Sequence, residues 1–142
     1  MCQQITFYPL RSITLSDSST NRLLDENLYW LPDSHGIYSG LQKMPKANII
    51  ASQKNVEKDV IEVTLRNTDD KQFAFFISVS LVNGETGKRI LPVFCNNNYI
   101  SIPPGQQRTV RMEYTPQDGV YPVATVEGWN IDYKVVDQLN KK

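Results

Sequence analysis

Hydrophobic and polar residues alternate along the middle of this chain. Ile61, Val63 and Leu65 are separated by charged or hydroxyl-bearing residues, and the segments Phe75–Leu81 and Val110–Tyr114 repeat the same period of two. Such a period describes a β-strand that has one face in a core and the other in water. The β-branched and aromatic residues that fill these segments suit a pleated sheet. The pattern therefore predicts strands through most of the chain.

The complete set of predicted strands covers 47–53, 58–67, 73–82, 90–94, 98–102, 107–114 and 122–130. Turn-forming residues lie between them, including Asn83–Lys88, Pro104-Gly105 and Asp118-Gly119. Short antiparallel strands at this spacing are typical of an immunoglobulin-like sandwich. We therefore predict an all-β fold, with an immunoglobulin-like antiparallel β-sandwich of about seven strands over residues 47–131. The residues expected in its core include Phe75, Ile77, Val79 and Leu81.

The residues before and after this sandwich are predicted to form separate segments. Residues 1–33 contain strand-like pieces at 5–8, 13–16 and 27–31, which predict an N-terminal β-hairpin with a polar loop at 17–26. Residues 34–46 are interpreted as a linker, and residues 132–142 as a C-terminal tail in which Val135, Val136 and Leu139 could line a short helix. An isolated hairpin is marginally stable in water. It must pack on the sandwich, pair with another copy in a homodimer, or belong to an upstream domain.

The charge balance excludes several classes of partner. Fifteen basic residues offset fifteen acidic ones, so no basic excess exists to attract nucleic acid. No apolar run has the length of a membrane span. The N-terminal residues lack the features of a signal peptide. A fragment would have lost such a leader, so the compartment stays open and the parent could be periplasmic or secreted.

The residues that usually bind metals or act as nucleophiles are few. Cys2 and Cys95 are the two cysteines, and His35 is the single histidine, placed beside a glycine in the predicted linker. Too few ligands of the usual types exist for a zinc site, and no serine or cysteine motif accompanies His35. We expect no cofactor, no metal site and no catalytic residue in this chain.

Two segments carry a resemblance to a known family. The first is Ser16–Asp33, with the sequence SDSSTNRLLDENLYWLPD, and the second is Leu91–Tyr114, with the sequence LPVFCNNNYISIPPGQQRTVRMEY. Both resemble the C-terminal region of family 2 glycoside hydrolases of the exo-β-glucosaminidase and β-mannosidase type. The likeness spans residues 16–131. Cys95 departs from the pattern because an aromatic residue is common there, and Asn96 and Asn97 stand where the family often has an acidic residue.

The resemblance implies that catalysis and structural support belong to different domains of the parent protein. In that family the chemistry is of the retaining type, with two carboxylates about 5 Å apart on a barrel that precedes the sandwiches. Nothing in this chain matches either carboxylate, so the chain alone is not expected to be an enzyme although its parent is. The implied function is a non-catalytic accessory domain that supports the catalytic barrel and an upstream sandwich and helps to shape the entrance. The alternative is a free-standing sandwich that binds glycans or proteins.

The candidate contact residues are Asn96, Asn97, Asn98, Tyr99 and Trp30. Asparagine amides supply donors and acceptors that suit sugar hydroxyls or a neighbouring backbone. Because asparagine also tolerates left-handed φ, a self-bonded turn is the favoured reading of the block, and a ligand contact is the other. Trp30 and Trp129 could form a platform that stacks on a sugar; the favoured interpretation places Trp30 at a domain seam and Trp129 as a cap on the core.

Overall fold

The computed structural model describes residues 2–7, 10–16, 19–20, 22–30 and 39–138. It divides into two compact units, Met1–Pro45 and Lys46–Lys142. The side chains discussed below all lie in residues 39–138. His35 and Leu139, and the side chains of Cys2 and Trp30, lie outside the described part.

The first unit contains a three-stranded antiparallel sheet with the order β1-β2-β3. Its strands are β1 (Cys2–Phe7), β2 (Leu10–Ser16) and β3 (Leu23–Trp30), and a short helix, α1 (Ser39–Gln42), follows. The predicted hairpin thus has a third strand. β3 begins within the stretch expected to be a polar loop, because Leu23 pairs with Ser16 across a register shift.

The second unit is a β-sandwich, which confirms the predicted fold class. Its strands are β4 (Ile49–Glu57), β5 (Val60–Asn67), β6 (Ala74–Asn83), β7 (Val93–Cys95), β8 (Ile100–Ile102), β9 (Gln107–Tyr114), β10 (Pro122–Gly128), β11 (Ile131–Val135) and β12 (Asp137–Gln138). One sheet has the order β11-β10-β6-β8 and the other β12-β4-β5-β9-β7. All pairings in the sandwich are antiparallel except the short contact of β12 with β4. A strand, β11, thus occupies the residues just before Val136, where the sequence allowed a helix.

The core lies between the two sheets. The inward residues of β5 (Ile61, Val63, Leu65), β6 (Ile77, Val79, Leu81) and β9 (Val110, Met112) are buried there, as their alternation predicted. Phe75 is also buried, but it lies outside this cluster. The cause is a register shift in β6, where Ala74 pairs with Ile102 and Ile77 with Ile100. The inserted residue breaks the alternation and places Ala74 in the core cluster.

The predicted turn at Pro104-Gly105 is also present. Gln106 N–H donates to the carbonyl oxygen of Pro103 at 3.2 Å, and Gly105 has a φ of 70°. A positive φ at the third position is the requirement of a type II turn, which glycine meets without strain. This turn leads directly into β9.

Candidate functional site

The asparagine block lies where the chain leaves one sheet for the other. Residues 96–99 join β7, at the edge of the five-stranded sheet, to β8, at the edge of the four-stranded sheet. A chain that crosses between sheets must leave both ladders, so nearby backbone groups lose their strand partners. The roles of Asn96, Asn97 and Asn98 follow from this position.

Asn96 holds the end of β7 to β9. Its backbone N–H donates to the Arg111 carbonyl oxygen at 3.0 Å, and its Oδ1 accepts the Arg111 N–H at 2.8 Å. One residue thus satisfies both backbone groups of Arg111, using its main chain for one and its side chain for the other. Asn96 is committed to the five-stranded sheet.

Asn98 does the same for β6. Its Nδ2 donates to the Val79 carbonyl oxygen at 2.9 Å, and its Oδ1 accepts the Val79 N–H at 2.8 Å. Its Oδ1 also accepts the N–H of Tyr99 at 2.9 Å. The side-chain amide therefore continues the ladder of β6 past Ile77, the last residue of β6 that pairs with β8. These contacts agree with the self-bonded reading of the block for Asn96 and Asn98.

Asn97 differs from its two neighbours. It is exposed, and its Oδ1 accepts the N–H of Asn98 at 2.9 Å. Within residues 39–138 its side-chain NH₂ has no hydrogen-bond partner. Asn96 is also exposed, and Asn97 is the member of the block whose side chain bonds no described residue outside the block.

Tyr99 stacks on a residue that the sequence analysis did not single out, Phe76. Their ring centroids are 5.3 Å apart and the ring planes are tilted by 39°. Tyr99 is 57% exposed and Phe76 49% exposed. Phe76 N–H donates to the Ser101 Oγ at 3.2 Å, which connects β6 to β8 beside the rings. The signal in the sequence that could have identified Phe76 was an aromatic residue at a solvent-facing position of β6.

Both aromatic residues have left-handed backbone conformations. The φ angle is 54° at Phe76 and 53° at Tyr99. A bulky L-residue in this region is a genuine outlier, because its Cβ crowds the following carbonyl oxygen. Among the described residues these are the non-glycine positions with positive φ. Two strained residues thus contact each other on the surface.

The position of Trp129 contradicts the interpretation that this side chain caps the core. It is 55% exposed in the turn between β10 and β11, while its neighbour Asn130 is 2% exposed. The Asn130 Oδ1 accepts the Phe75 N–H at 2.8 Å, and its Nδ2 donates to the Phe73 carbonyl oxygen at 2.7 Å. Both backbone groups lie beyond Ser78, the last residue of β6 that pairs with β10, so that ladder supplies no partner for them. Burial of the amide satisfies them and turns the indole outward.

The charged residues cluster on the outer face of the five-stranded sheet. Arg111 lies 2.7 Å from Glu57, 3.8 Å from Glu62 and 3.9 Å from Glu113. The hydrogen bond that Arg111 donates to the Glu57 carboxylate raises the pKa of Arg111 above its usual value. By contrast, residues 72–84 and 90–107, which carry Phe76 and the asparagine block, contain no charged residue. The aromatic pair therefore lies on two segments without charged residues, while exposed Glu127 lies on the neighbouring strand opposite Ser78.

A shallow groove of about 330 Å³ lies at the end of the sandwich. It is lined by Asn83, Thr86, Lys88, Arg89, Ile90, Leu91, Gln117 and Val120. Its lining carries two basic residues and no carboxylate, whereas glycoside hydrolysis by the usual route needs two carboxylates that face each other. This groove lacks the groups for that chemistry.

Other reactive groups in the described part are unremarkable. Cys95 is a free thiol, and burial raises its pKa, with Arg89 acting in the opposite direction. A raised pKa lowers the thiolate fraction, which is the opposite of what a nucleophilic cysteine needs. Within the described part, no helix has the length and apolar character to cross a membrane.

Comparison with protein-family models gives one match. Residues 27–131 match the family model described as the exo-β-D-glucosaminidase Ig-fold domain. The matched residues include the second half of β3 and all strands from β4 to β10. The match thus covers most of the chain and nearly all of the sandwich.

Curated proteins similar to this chain are much longer than it is. The chain is 29% identical over 146 residues to an exo-β-D-glucosaminidase of Amycolatopsis orientalis, a match that covers 86% of the chain and 14% of that protein. It is 28% identical over 125 residues to a mannosylglycoprotein endo-β-mannosidase of Lilium longiflorum, covering 84% of the chain and 12% of that protein. The chain thus spans about a seventh of the length of these relatives.

A solved structure agrees with the sequence comparisons. The crystal structure of the Amycolatopsis orientalis exo-chitosanase superposes with a TM-score of 0.73 at 28% identity. The superposition covers 89% of this chain and 18% of that one.

Proposed function

The chain belongs to the exo-β-D-glucosaminidase Ig-fold domain family, and on this premise we propose that it is a non-catalytic accessory domain of a larger glycoside hydrolase. The observation that carries the proposal is the coverage of the relatives. Most of this chain matches only 14% of the glucosaminidase and 12% of the mannosidase named above. The parent enzyme acts on β-linked glucosamine or mannose, and its catalytic residues lie outside these residues.

The described residues support a role without chemistry. Glu62 and Glu113 contact the same arginine on an outer sheet face, and the groove beside Lys88 and Arg89 has no carboxylate. Two of the three asparagines in the block have their amides committed to backbone groups of the sandwich itself. An outside partner would therefore contact the exposed residues of the sandwich.

The accessory role has two components. The sandwich supports the catalytic barrel and the upstream sandwich of the parent, and the segment that contains Asn97 and Tyr99 helps to form the wall of the substrate entrance. This segment is exposed and uncharged, which suits contact with another domain or with a neutral sugar.

Kinetics of the chain and of its parent test the proposal. The chain alone is expected to release no nitrophenolate from 4-nitrophenyl β-glucosaminide or β-mannoside above the blank. Deletion of residues 46–142 from the full-length parent is expected to shorten the half-life of its activity on heating, because the barrel loses a supporting surface. Turnover by the chain alone that is lost in Glu62→Gln or Glu113→Gln would overturn the accessory role. So would a truncated parent that matches the full-length enzyme in half-life and KM.

A second function, glycan binding by the sandwich in its own right, is favoured by one observation. The Phe76–Tyr99 pair exposes two apolar rings at a cost in backbone strain. A homodimer through the N-terminal sheet is a third arrangement, because β1 and β3 are edge strands of that sheet. Light scattering tests it, and a monomer at all concentrations would rule it out.

A further inference from the structure

We infer that the Phe76–Tyr99 pair is a stacking site for a β-linked, gluco-configured saccharide, with Asn97 as its hydrogen-bonding neighbour. The inference rests on the proposed function for the class of saccharide, and on the structure for the place.

The first argument is that two strained positions expose their side chains. A left-handed φ is unfavourable for any residue with a Cβ. The register shift in β6 accounts for an irregular backbone at Phe76, but it does not require an aromatic ring on the surface. Here both rings are about half exposed. Backbone outliers that the structure maintains without burial concentrate at binding sites and ligand clamps.

The second argument is that specific hydrogen bonds maintain the strained conformation. The N–H of Phe76 is bonded to the Ser101 Oγ, and the N–H of Tyr99 to the Asn98 Oδ1. Asn98 is itself fixed to Val79 by two further bonds. The two rings therefore occupy fixed positions relative to β6 and β8. A fixed site loses little conformational freedom when it binds a ligand.

The third argument concerns the chemistry of the ligand. The faces of aromatic rings carry partial negative charge, which attracts the C–H groups on the flat face of a pyranose ring. When the substituents of a hexopyranose are equatorial, as in β-linked glucosamine, both faces present C–H groups and the hydroxyls point to the rim. In β-linked mannose an axial hydroxyl interrupts one face. The exposed amide of Asn97 is placed in the sequence next to the bonded Asn98, where it can reach rim hydroxyls.

The fourth argument is electrostatic. Residues 72–84 and 90–107 contain no charged side chain. A surface for a charged ligand would carry opposite charge, and most protein surfaces carry many charged groups. The absence of charge from these two segments instead suits a ligand that is recognised by stacking and hydroxyl contacts. Binding should therefore depend little on salt.

NMR titration of the 142-residue chain tests the inference. An uncharged β-1,4-linked N-acetylglucosamine hexamer is expected to shift the amide signals of Phe76 and of residues 97–101, and a β-1,4-linked mannose hexamer to do so more weakly. The dissociation constant should change by less than about twofold between about 0.05 M and 0.5 M salt.

Substitutions by glycine distinguish the effect of losing an aromatic ring from the effect of misfolding. Glycine accepts positive φ, so Phe76→Gly and Tyr99→Gly remove a ring while relieving strain. Each is expected to weaken binding by about tenfold, with an otherwise unchanged spectrum. Phe94→Ala is the matched control, because Phe94 is 70% exposed and lies on β7 of the other sheet. This control should bind as the unmodified chain does.

Each contrary result has a distinct meaning. An absence of saccharide-induced shifts, or shifts that persist in Phe76→Gly and Tyr99→Gly, would overturn the inference and leave the accessory role untouched. If no saccharide binds but the glycine variants shorten the heat half-life of the full-length parent, the pair is a domain seam and the saccharide assignment is wrong. Catalysis by the chain alone would instead contradict the proposed function.

Discussion

Replacement of Asn98 by alanine tests whether the asparagine block is a structural device. Asn97→Ala is its matched control, since the two residues are adjacent and chemically identical. Asn98 binds both backbone groups of Val79, whereas Asn97 contacts the N–H of its own neighbour and is exposed. If amides matter here only as a polar surface, the two variants should have similar effects on stability.

The magnitude follows from the bonds that are lost. Each net hydrogen bond contributes about 0.5–1.5 kcal/mol, and Asn98→Ala removes two bonds to a half-buried stretch of β6. Loss of the third bond, to Tyr99, also relaxes a strained backbone, which offsets part of the cost. We expect the free energy of unfolding to fall by about 2 kcal/mol in Asn98→Ala. For Asn97→Ala we expect a change within about 0.5 kcal/mol, as for most surface substitutions.

Urea unfolding followed by tryptophan fluorescence measures this difference. The midpoint should fall in Asn98→Ala with an unchanged slope, because the same surface is exposed on unfolding. For a domain of this size, about 2 kcal/mol corresponds to a fall of roughly 10 °C in Tm. Equal midpoints for the two variants would refute the structural role of Asn98 and return the whole block to the set of candidate ligand contacts.

Three further substitutions test other parts of the sandwich. Asn130→Ala should lower the free energy of unfolding by about 2–5 kcal/mol, because Phe73 and Phe75 keep buried backbone groups without partners; a change below about 1 kcal/mol in urea unfolding would contradict this. Gly105→Ala should cost about 1–2 kcal/mol from backbone strain alone, since an added Cβ meets open space, and an unchanged Tm would be inconsistent with the left-handed φ. The hydrogen bond from Lys46 lowers the pKa of Asp132 below 3.8. The stability that this carboxylate contributes is therefore present above pH 3.8 and lost as the pH falls through the lower folded-state value, so Asp132→Asn should be less stable than the unmodified chain at pH 7 and equal to it at strongly acidic pH. An equal deficit at both pH values would show that the ion pair is not its cause.

The alternation of side chains was enough to predict most of the sandwich. Ile61, Val63 and Leu65 are buried as expected because the period of two is also the geometry of a pleated strand. The ends of strands were less predictable. β7 begins at Val93 rather than near residue 90, after a proline that has no N–H for a ladder. β11 was missed because only Ile131 in that strand is buried.

Phe75 is buried as predicted although it lies outside the main cluster, and the prediction for Trp129 is wrong; both residues lie where β6 begins or where β10 ends. A register shift cannot be read from the alternation of one strand, because it depends on which residues of the neighbouring strand lie opposite. Two backbone groups beyond the end of the β6–β10 pairing also need partners, and a nearby amide is a better occupant of that site than an indole. The size and apolar character of Trp129 led to the opposite prediction.

The candidate site shows the same limit. The sequence marked Asn96–Tyr99 as unusual, but it could not say which amides would be bonded internally. That assignment depends on Arg111 and Val79, which are distant in sequence and adjacent in space. Phe76 was placed correctly on the outward phase of β6, yet its contact with Tyr99 required the register of β6 and β8.

Side-chain amides form hydrogen bonds with the backbone at two places where strands leave the sheets. This arrangement bears on the role of the exposed surface around Phe76 and Tyr99. Gln53 accepts the Ala124 N–H and donates to the Pro122 carbonyl oxygen, at the point where β11 departs from β10. Asn98 makes the equivalent pair of hydrogen bonds to Val79, just before β8 begins. At these two places the sandwich satisfies its own backbone. The exposed rings of Phe76 and Tyr99 take no part in these hydrogen-bond pairs, which is consistent with the proposed role of this surface in contacting a ligand or a neighbouring domain.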